Sequence, residues 1–407
     1  MLMKKDNLIY LNNEQIKMNE EPKKKVNVSR LIGVAIVGVL IIFAIIAYAV
    51  YANNESARKY IDEHILEKNV NENNLNKIEI AEYDKSNFFA CQDKIIILNG
   101  TTLTTYNTSG KKEKQENVDI SEPVSAINNE YFVLAEKNGN KVYMIKNGSK
   151  FWEKEIEGKI SKVSVNEVGY TAVIITGTTY KTVIELFDPD GNELFKNYLS
   201  NTIVADVTIS KDCKYLAYGE LNTSGTVIQS NIKIIDIQKA KDKQEEAIAY
   251  TYKADSNKLI VNLEYQNNNR LVCVYDDEIC VIKDNSNEEI LKYGKEGNSI
   301  TFVSAKLDSY CVAMEEVASG MFSTTSKTRI INTSNNKESV YNFSGVTKEI
   351  YSVGNKIAIN LGTEIHFVDT NGWLIKKYVS SQEAKNIVIS KDIAGIIYRD
   401  KIEIVKL

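Results

Sequence analysis

Histidine is nearly absent from this chain of 407 residues, which contains only His64 and His366. So few histidines exclude a histidine-rich metal centre. A Ser-His-Asp catalytic apparatus, in which an imidazole takes the serine proton, would have to use His366. His64 lies in a segment with helical spacing, where a histidine is more often a surface residue than a metal ligand.

The chain also lacks an excess of positive charge. Its formal net charge is −4, and the cationic residues are mainly lysines distributed along the whole length. A protein that binds nucleic acid needs a concentrated field of lysine and arginine to collect phosphates. We therefore expect no nucleic-acid partner.

Cysteine is scarce, odd in number and without Cys-x-x-Cys spacing. The five cysteines are Cys91, Cys213, Cys273, Cys280 and Cys311. We interpret them as free thiols that fill the core between strands, as small buried cysteines commonly do. Cys273 and Cys280 flank a predicted turn, so a disulfide across a hairpin is the alternative.

One long apolar run, residues 31–52, carries no charge at all between Arg30 and Glu55. At about 1.5 Å of rise per residue, a helix of this length spans a hydrocarbon core roughly 30 Å thick. Arg30 and the lysines at 23–25 precede the run, whereas charges of both signs follow it, which places the N-terminus in the cytoplasm. Ala47-Tyr48-Ala49 has the form of a signal-peptidase site, so a cleaved export signal is the alternative.

The two segments that flank this run are polar. Residues 1–30 are basic and poor in apolar residues, which predicts a cytoplasmic tail without stable structure. The tail serves either as a topology signal alone or as a contact for partners or anionic lipids. Residues 53–76 are interpreted as a stalk: a short helix capped by Asn53 or Asn54, then an asparagine-rich linker over 69–76.

From residue 77 onward one unit recurs, a short strand rich in Ile, Val and Tyr that ends in a polar turn. Successive copies lie about 37 to 49 residues apart, which is the spacing of four-stranded propeller blades. The copies fall at residues 105–110, 144–148, 186–191, 234–237, 281–285, 330–333, 367–372 and 401–407. Eight copies predict an all-β, eight-bladed β-propeller over residues 77–407, with seven blades as the alternative.

The other strands of a blade can also be placed. In the third unit they are expected, from the innermost outward, at residues 162–165, 170–176, 182–187 and 192–198. The last unit supplies three strands, at 386–390, 394–398 and 401–407, so a strand at 77–83 is expected to complete it and remove the exposed edges. A β-sandwich is the competing fold, but it gives no reason for near-constant spacing.

Several turns resemble those of known propellers. Gly148-Ser149-Lys150-Phe151-Trp152 has the Gly-x-x-x-Trp spacing of quinoprotein-type repeats, and the turns at 188–195 and 369–373 are similar. The segment at 210–217 is similar to the Ser-Pro-Asp-Gly-x-x-Leu-Ala segment of many propellers. With one apolar span in front, the chain resembles a single-pass, membrane-anchored β-propeller family of Gram-positive bacteria, with a domain of unknown function, in the quinoprotein and WD40-like fold group.

The resemblance implies a fold and an anchor, and it does not imply a cofactor. Quinoprotein dehydrogenases need a tryptophan beneath the quinone and usually a vicinal cysteine pair. Both tryptophans here, Trp152 and Trp373, lie in turn-like contexts, and no two cysteines are adjacent. Because fold alone does not transmit function, we expect no cofactor.

Two acidic segments are candidate chemical sites. Asp188-x-Asp190-Gly191 offers oxygens at short spacing, as calcium needs, but it suits a tight turn better. The acidic run 276–278 is likewise interpreted as a hairpin turn instead of an acid/base pair. We therefore predict no catalytic residue and no metal site.

A partner-binding loop is predicted at Met321 and Phe322, two apolar residues in a flexible polar frame; the alternative is a loop packed over the disc. We expect a membrane-anchored extracytoplasmic propeller that binds a protein or glycan at the cell envelope, with the lipid bilayer as its other partner. A hydrolase or lyase with its site in the propeller funnel is the alternative. A sensor that reports across the membrane is a third, weaker hypothesis.

Overall fold

The structure is a computed structural model. It describes residues 28–71, 75–243, 246–255, 258–266, 270–284, 286–293, 299–318 and 324–407. The chain divides into two compact units, with the boundary between Leu66 and Glu67.

The N-terminal unit consists of two helices, α1 (Val28–Asn53) and α2 (Glu55–His64). Within α1, Ile32–Asn53 is long and apolar enough to cross a membrane, as the sequence predicted, although a signal sequence meets the same criteria. The side chain of Asn54 accepts a hydrogen bond from the N–H of Ala57, at 2.9 Å. This is the N-cap that the sequence predicted, and it allows α2 to begin directly after α1.

The C-terminal unit is built almost entirely of strands. It opens with β1 (Asn69–Asn71), β2 (Asn76–Glu79) and a 3-10 turn (Tyr83–Lys85). Six sheets of four consecutive strands follow. Blade 1 contains β3 (Ser86–Cys91), β4 (Lys94–Asn99), β5 (Thr102–Tyr106) and β6 (Lys112–Asn117); blade 2 contains β7 (Pro123–Asn128), β8 (Tyr131–Glu136), β9 (Lys141–Lys146) and β10 (Ser149–Glu155).

The next blades continue the pattern. Blade 3 contains β11 (Lys159–Val165), β12 (Thr171–Thr176), β13 (Thr182–Phe187) and β14 (Glu193–Leu199); blade 4 contains β15 (Thr202–Ile209), β16 (Tyr215–Asn222), β17 (Gln229–Asp236) and, after the short helix α3 (Ile237–Asp242), β18 (Ile248–Lys253); blade 5 contains β19 (Ile260–Gln266), β20 (Arg270–Tyr275), β21 (Glu278–Lys283) and β22 (Ser286–Lys292).

The last three blades complete the ring. Blade 6 contains β23 (Ile300–Ser304), β24 (Tyr310–Ala318), β25 (Thr324–Asn332) and β26 (Glu338–Ser344); blade 7 contains β27 (Glu349–Val353), β28 (Lys356–Asn360), β29 (Glu364–Asp369) and β30 (Leu374–Val379); blade 8 contains β31 (Asn386–Ile389), β32 (Ile393–Ile397) and β33 (Lys401–Lys406). Every strand-turn copy identified in the sequence is the third strand of a blade.

Blade 8 is closed by the beginning of the unit. Strand β2 pairs with β33 in antiparallel register, with Lys77 opposite Glu403 and Ile78 opposite Ile402. This is the closure that the sequence predicted, and it gives eight blades, so the seven-bladed alternative and the β-sandwich are both wrong. The pairing leaves the third strand of blade 8 without an exposed edge.

The core is a ring of interfaces between blades. The buried apolar residues of the described chain form eight clusters, and each lies between two neighbouring blades. In one of them Ile95 of blade 1 packs with Ile402 of blade 8. The second and third strands are buried on both faces, which explains continuous apolar runs such as that of β12.

The linker expected over residues 69–76 is partly wrong. Strand β1 pairs in parallel with β30, with Asn69 opposite Lys377 and Asn71 opposite Val379. Blade 7 therefore has five strands. The asparagine-rich sequence suggested a linker, but backbone groups pair with a free strand edge irrespective of side chain.

The first part of the charged segment 239–246 belongs to the short helix α3. Asp236 caps α3 by accepting a hydrogen bond from the N–H of Lys239, and Ile237 and Ala240 are buried. Two apolar side chains on one face were enough to fold this charged segment against the disc.

Candidate functional site

The two faces of the disc follow from the strand directions. Within a blade the strands are antiparallel, so the hairpins between second and third strands and the connections between blades lie on one face. We call this the upper face. The opposite face, which we call the lower face, carries the hairpins between first and second strands and those between third and fourth strands.

The first strands of blades 3 to 6 share an irregularity. In β11, β15, β19 and β23 one residue near the upper end is unpaired, so the register with the second strand shifts by one. The unpaired residues are Ser161, Ala205, Val261 and Thr301. Such a bulge turns the residue that follows it to a new direction.

The residues that follow three of these bulges are Lys162, Asp206 and Asn262, and they contact one another across three blades. The ammonium of Lys162 lies 2.6 Å from Oδ1 of Asp206. Oδ2 of Asp206 accepts hydrogen bonds from the Asn262 amide and from the N–H of Leu263, both at 2.8 Å. We call Lys162, Asp206 and Asn262 the polar arc.

Asp206 is almost fully buried in the polar arc. Its charge is compensated by Lys162, and both of its oxygens have partners. Because a buried carboxylate without partners would be strongly destabilising, the arc is a satisfied network that joins blades 3, 4 and 5. Because both oxygens of Asp206 have partners, the polar arc is better suited to holding neighbouring groups in position than to transferring a proton.

Glu264 lies two residues beyond Asn262 on the same strand and is half-buried. Burial raises the pKa of Glu264 to about 7, and the charge of Asp206 raises it further while Lys306 opposes the shift. Asp206 and Glu264 are thus two carboxyl groups on the first strands of neighbouring blades, close enough for the charge of Asp206 to raise the pKa of Glu264. A carboxyl that is partly protonated at neutral pH can donate as well as accept a hydrogen bond.

The upper face of blades 4 and 5 exposes four β-branched side chains. They are Ile203, Val227, Ile228 and Val261, each between 40% and 55% exposed. The Ser230 hydroxyl donates to the Lys258 carbonyl, at 2.6 Å, and accepts from the N–H of Ile260, at 3.2 Å, so the two blades meet here. We call these four residues the apolar patch.

The predicted partner loop cannot be placed. Met321 and Phe322 lie outside the described residues. The strands on either side of the loop end at Ala318 and begin at Thr324, which are paired with each other. That hairpin joins a second strand to a third strand.

The acidic segments have the roles of turns. Oδ1 of Asp188 accepts hydrogen bonds from the N–H groups of Asp190 and Asn192, at 2.9 and 2.8 Å. Asp276 and Asp277 form the hairpin between β20 and β21, and Glu278 pairs with Lys258, at 2.6 Å. Among the residues that the structure describes, no group of three or more His, Cys, Asp or Glu side chains could hold a metal ion.

His366 lies on the third strand of blade 7, between two blades. Its Nδ1 is 3.0 Å from the Tyr341 hydroxyl, and its Nε2 contacts the Glu364 carboxylate. That contact, helped by Lys377, lowers the pKa of Glu364 to about 2. The imidazole thus contacts a phenol and a carboxylate, which fit a buried structural histidine and not a serine nucleophile.

Sequence reasoning missed the polar arc and Glu264, because they lie on first strands, whereas the visible repeat consisted of third strands and the turns that follow them. The signal that could have found them is a polar residue inside an otherwise apolar first strand, such as Asp206 in Thr202–Ile209. A polar residue at such a position indicates that its side chain is paired with another polar group in the core, but the sequence does not identify that group.

Comparison with known proteins agrees with this architecture. The model of DUF5711, a family of unknown function, matches residues 66–407. The chain belongs to the DUF5711 family. The DUF5711 match begins one residue before the C-terminal compact unit, so the family domain and the propeller coincide. No curated protein matches the sequence.

Two solved propeller structures are similar to this DUF5711 domain. The C-terminal WD40 domain of Sif2 is 13% identical with a TM-score of 0.54, over 82% of this chain and 99% of that one. BamB from Moraxella catarrhalis is 10% identical with a TM-score of 0.49, over 82% of this chain and 99% of that one. At such low identity the similarity to the WD40 domain concerns the fold alone.

Proposed function

We propose that this protein is a binding and scaffold module of the cell envelope that docks a partner protein on the upper face of its propeller. A single helix, α1, anchors it in the membrane, with the N-terminal tail in the cytoplasm and the propeller outside, in a Gram-positive cell. The observation that carries the proposal is the apolar patch. The positive charge ahead of α1 supports the orientation.

The patch is suited to a protein partner for two reasons. Ile203 and Val261 lie on ordered strands of the closed ring, so little conformational entropy is lost when a partner covers them, and Val227 and Ile228 lie in the hairpin between β16 and β17. Four exposed apolar side chains on the upper face of two adjoining blades also offer apolar contact area, and lysines and threonines near them in the sequence supply polar groups. Isolated exposed apolar residues are ordinary on protein surfaces, but a group shared by two blades is less so.

The test is site-specific photocrosslinking in intact cells with the full-length chain. A crosslinker at Val227 is expected to give one discrete protein adduct, and a second substitution, Val261→Asp, is expected to abolish it. A crosslinker at Ile248 is the matched control, because this residue of the same blade is half-exposed and lies on the lower face. No adduct at Val227, or equal adducts at both positions, would contradict the proposal.

The orientation has its own test. Protease added to intact cells whose wall has been removed is expected to degrade the propeller and spare the tail. A propeller that resists until the membrane is permeabilised, and is then cut, would show the opposite orientation.

One observation favours the hydrolase or lyase alternative, namely Glu264 beside Asp206. A general acid with a pKa near neutrality is common in such enzymes. The second carboxyl group, Asp206, already has partners on both oxygens, which leaves Glu264 without a free acidic partner. We therefore place this alternative second.

A further inference from the structure

A separate cavity of about 420 Å³ lies on the upper face of blade 3. Its walls come from the hairpin at 177–181, the connection at Glu157 and Gly158, and the upper end of β14. The volume is within the range of small-molecule pockets, roughly 300–1,000 Å³. None of the residues in the apolar patch lines this cavity.

Two tyrosines form one wall of the cavity. The ring centroids of Tyr180 and Tyr198 are 4.7 Å apart, and the rings are inclined by 43°. Tyr180 is 39% exposed and Tyr198 is 49% exposed, which is unusual for large aromatic side chains that already contact each other. The pair therefore presents aromatic surface to whatever enters the cavity.

A buried carboxyl group forms part of another wall. Glu185 is 4% exposed, and its Oε2 has no hydrogen-bond partner among the residues that the structure describes. Its Oε1 lies 3.5 Å from the ammonium of Lys196, which is equally close to Glu193. A buried oxygen without a hydrogen bond is destabilising, so this atom has a strong demand for a donor.

The surroundings of Glu185 identify the kind of ligand. The lining holds charges of both signs, Glu157 and Glu185 with Lys196. The hydroxyl-bearing Thr178 and Thr179 add further donors and acceptors, a mixture that suits a ligand with several hydroxyls. Burial raises the pKa of Glu185 to about 7, so near neutral pH the carboxyl can accept a hydrogen bond from a hydroxyl or donate one to it. An apolar sugar face can in addition lie on a tyrosine ring.

We propose that this cavity binds an uncharged saccharide, with a sugar ring against Tyr180 and Tyr198 and a sugar hydroxyl as the donor to Glu185 Oε2. The saccharide site goes beyond the protein docking proposed above and does not depend on it, because its residues and its readout are different.

The experiment uses the full-length protein in a polyoxyethylene detergent, because detergents with sugar headgroups would compete. Saturation-transfer NMR and calorimetry are recorded with maltose, cellobiose and di-N-acetylchitobiose, and with choline as a cationic probe. We expect at least one disaccharide to bind, with a Kd of about 1 mM. Choline is not expected to bind.

Four variants separate the contributions. Tyr198→Ala and Glu185→Leu are each expected to weaken sugar binding about tenfold, whereas Glu185→Gln keeps an acceptor and is expected to stay within about threefold. Phe151→Ala is the matched control, because this half-exposed aromatic residue lies in another blade, outside the cavity. Its binding and melting temperature should equal those of the wild type.

Three results would overturn the proposal. The first is that none of the disaccharides shows saturation transfer at tens of millimolar. The second is that Tyr198→Ala leaves sugar binding unchanged while the protein stays folded. The third is that choline binds and that Glu185→Gln abolishes its binding. The last result would identify a cation site instead. Crosslinking at the apolar patch is unaffected by any of these outcomes, so the two proposals fail separately.

Discussion

The indole N–H of Trp152 in blade 2 donates a hydrogen bond to the carbonyl of Pro189 in blade 3, at 3.0 Å. The same indole covers Gly191, where a Cβ atom would lie 3.0 Å from the ring. The turn after the third strand of one blade is thus held by the outer strand of the blade before it. The recurring turn glycine is a feature of packing between blades.

This contact predicts different effects for two glycine substitutions. Gly191 and Gly100 both have positive φ, at +82° and +56°, but a Cβ atom at Gly100 would meet no atom within 4 Å. Gly100→Ala should therefore show only the backbone cost of about 1 kcal/mol, and Gly191→Ala should cost about 1–3 kcal/mol more because it displaces Trp152. Denaturant unfolding measures both; equal losses would contradict the contact.

The polar arc predicts a large penalty for removing its central carboxylate. Asp206→Ala leaves the Lys162 ammonium, the Asn262 amide and the Leu263 N–H without their acceptor, and we expect a loss of about 2–4 kcal/mol in the free energy of unfolding. Asp190→Ala is the control, because Asp190 is exposed in a turn. If the two variants unfold alike, the arc does not join the blades as described.

Glu264 predicts a dependence of stability on pH. The folded chain holds the Glu264 proton up to a pH of about 7, above the ordinary value of 4.5. The contribution of this proton to stability is therefore complete below pH 4.5 and is lost as the pH rises through 7. At pH 8 we expect Glu264→Gln to increase the free energy of unfolding by about 1–2 kcal/mol and thereby to raise the melting temperature. At pH 4 we expect the substitution to change the melting temperature little. A difference from wild type that does not vary with pH would contradict this assignment.

Ring closure predicts that the strand from the start of the unit is essential. Ile78 of β2 is buried between blades 8 and 1, so Ile78→Ala should cost about 2–4 kcal/mol and speed proteolysis of both terminal blades. Glu79→Ala, at the next and exposed position, is expected to have little effect. Limited proteolysis with mass spectrometry distinguishes opening of the ring between blades 8 and 1 from a uniform loss of stability in all blades.

The cysteines predict an order of alkylation. All five are free; Cys213 is half-buried and the other four are buried. Burial raises the pKa of Cys91 and of Cys280 to about 12 each, so their thiolates are rare at pH 8. In the folded protein iodoacetamide should therefore label Cys213 first and the others only after denaturation. A Cys273–Cys280 disulfide in purified protein would contradict this, although these residues are directly opposite in β20 and β21.

The sequence by itself determined the repeat, and with it the number of blades, the closure and the helix that can span a membrane. Each of these depends on local pattern: apolar alternation, turn residues such as Gly191, and an uncharged run of sufficient length. Strand β1 and helix α3 escaped prediction because their pairing with distant backbone or core overrode a polar composition.

Only the tertiary structure decided which polar residues meet. Lys162, Asp206 and Asn262 belong to three blades, and a bulge in each strand, which sequence does not reveal, turns them towards one another. The tyrosine-lined cavity likewise depends on how a hairpin, a connection and a strand end are brought together. Contacts between blades are set by ring closure, so the sites they create are invisible until the ring is complete.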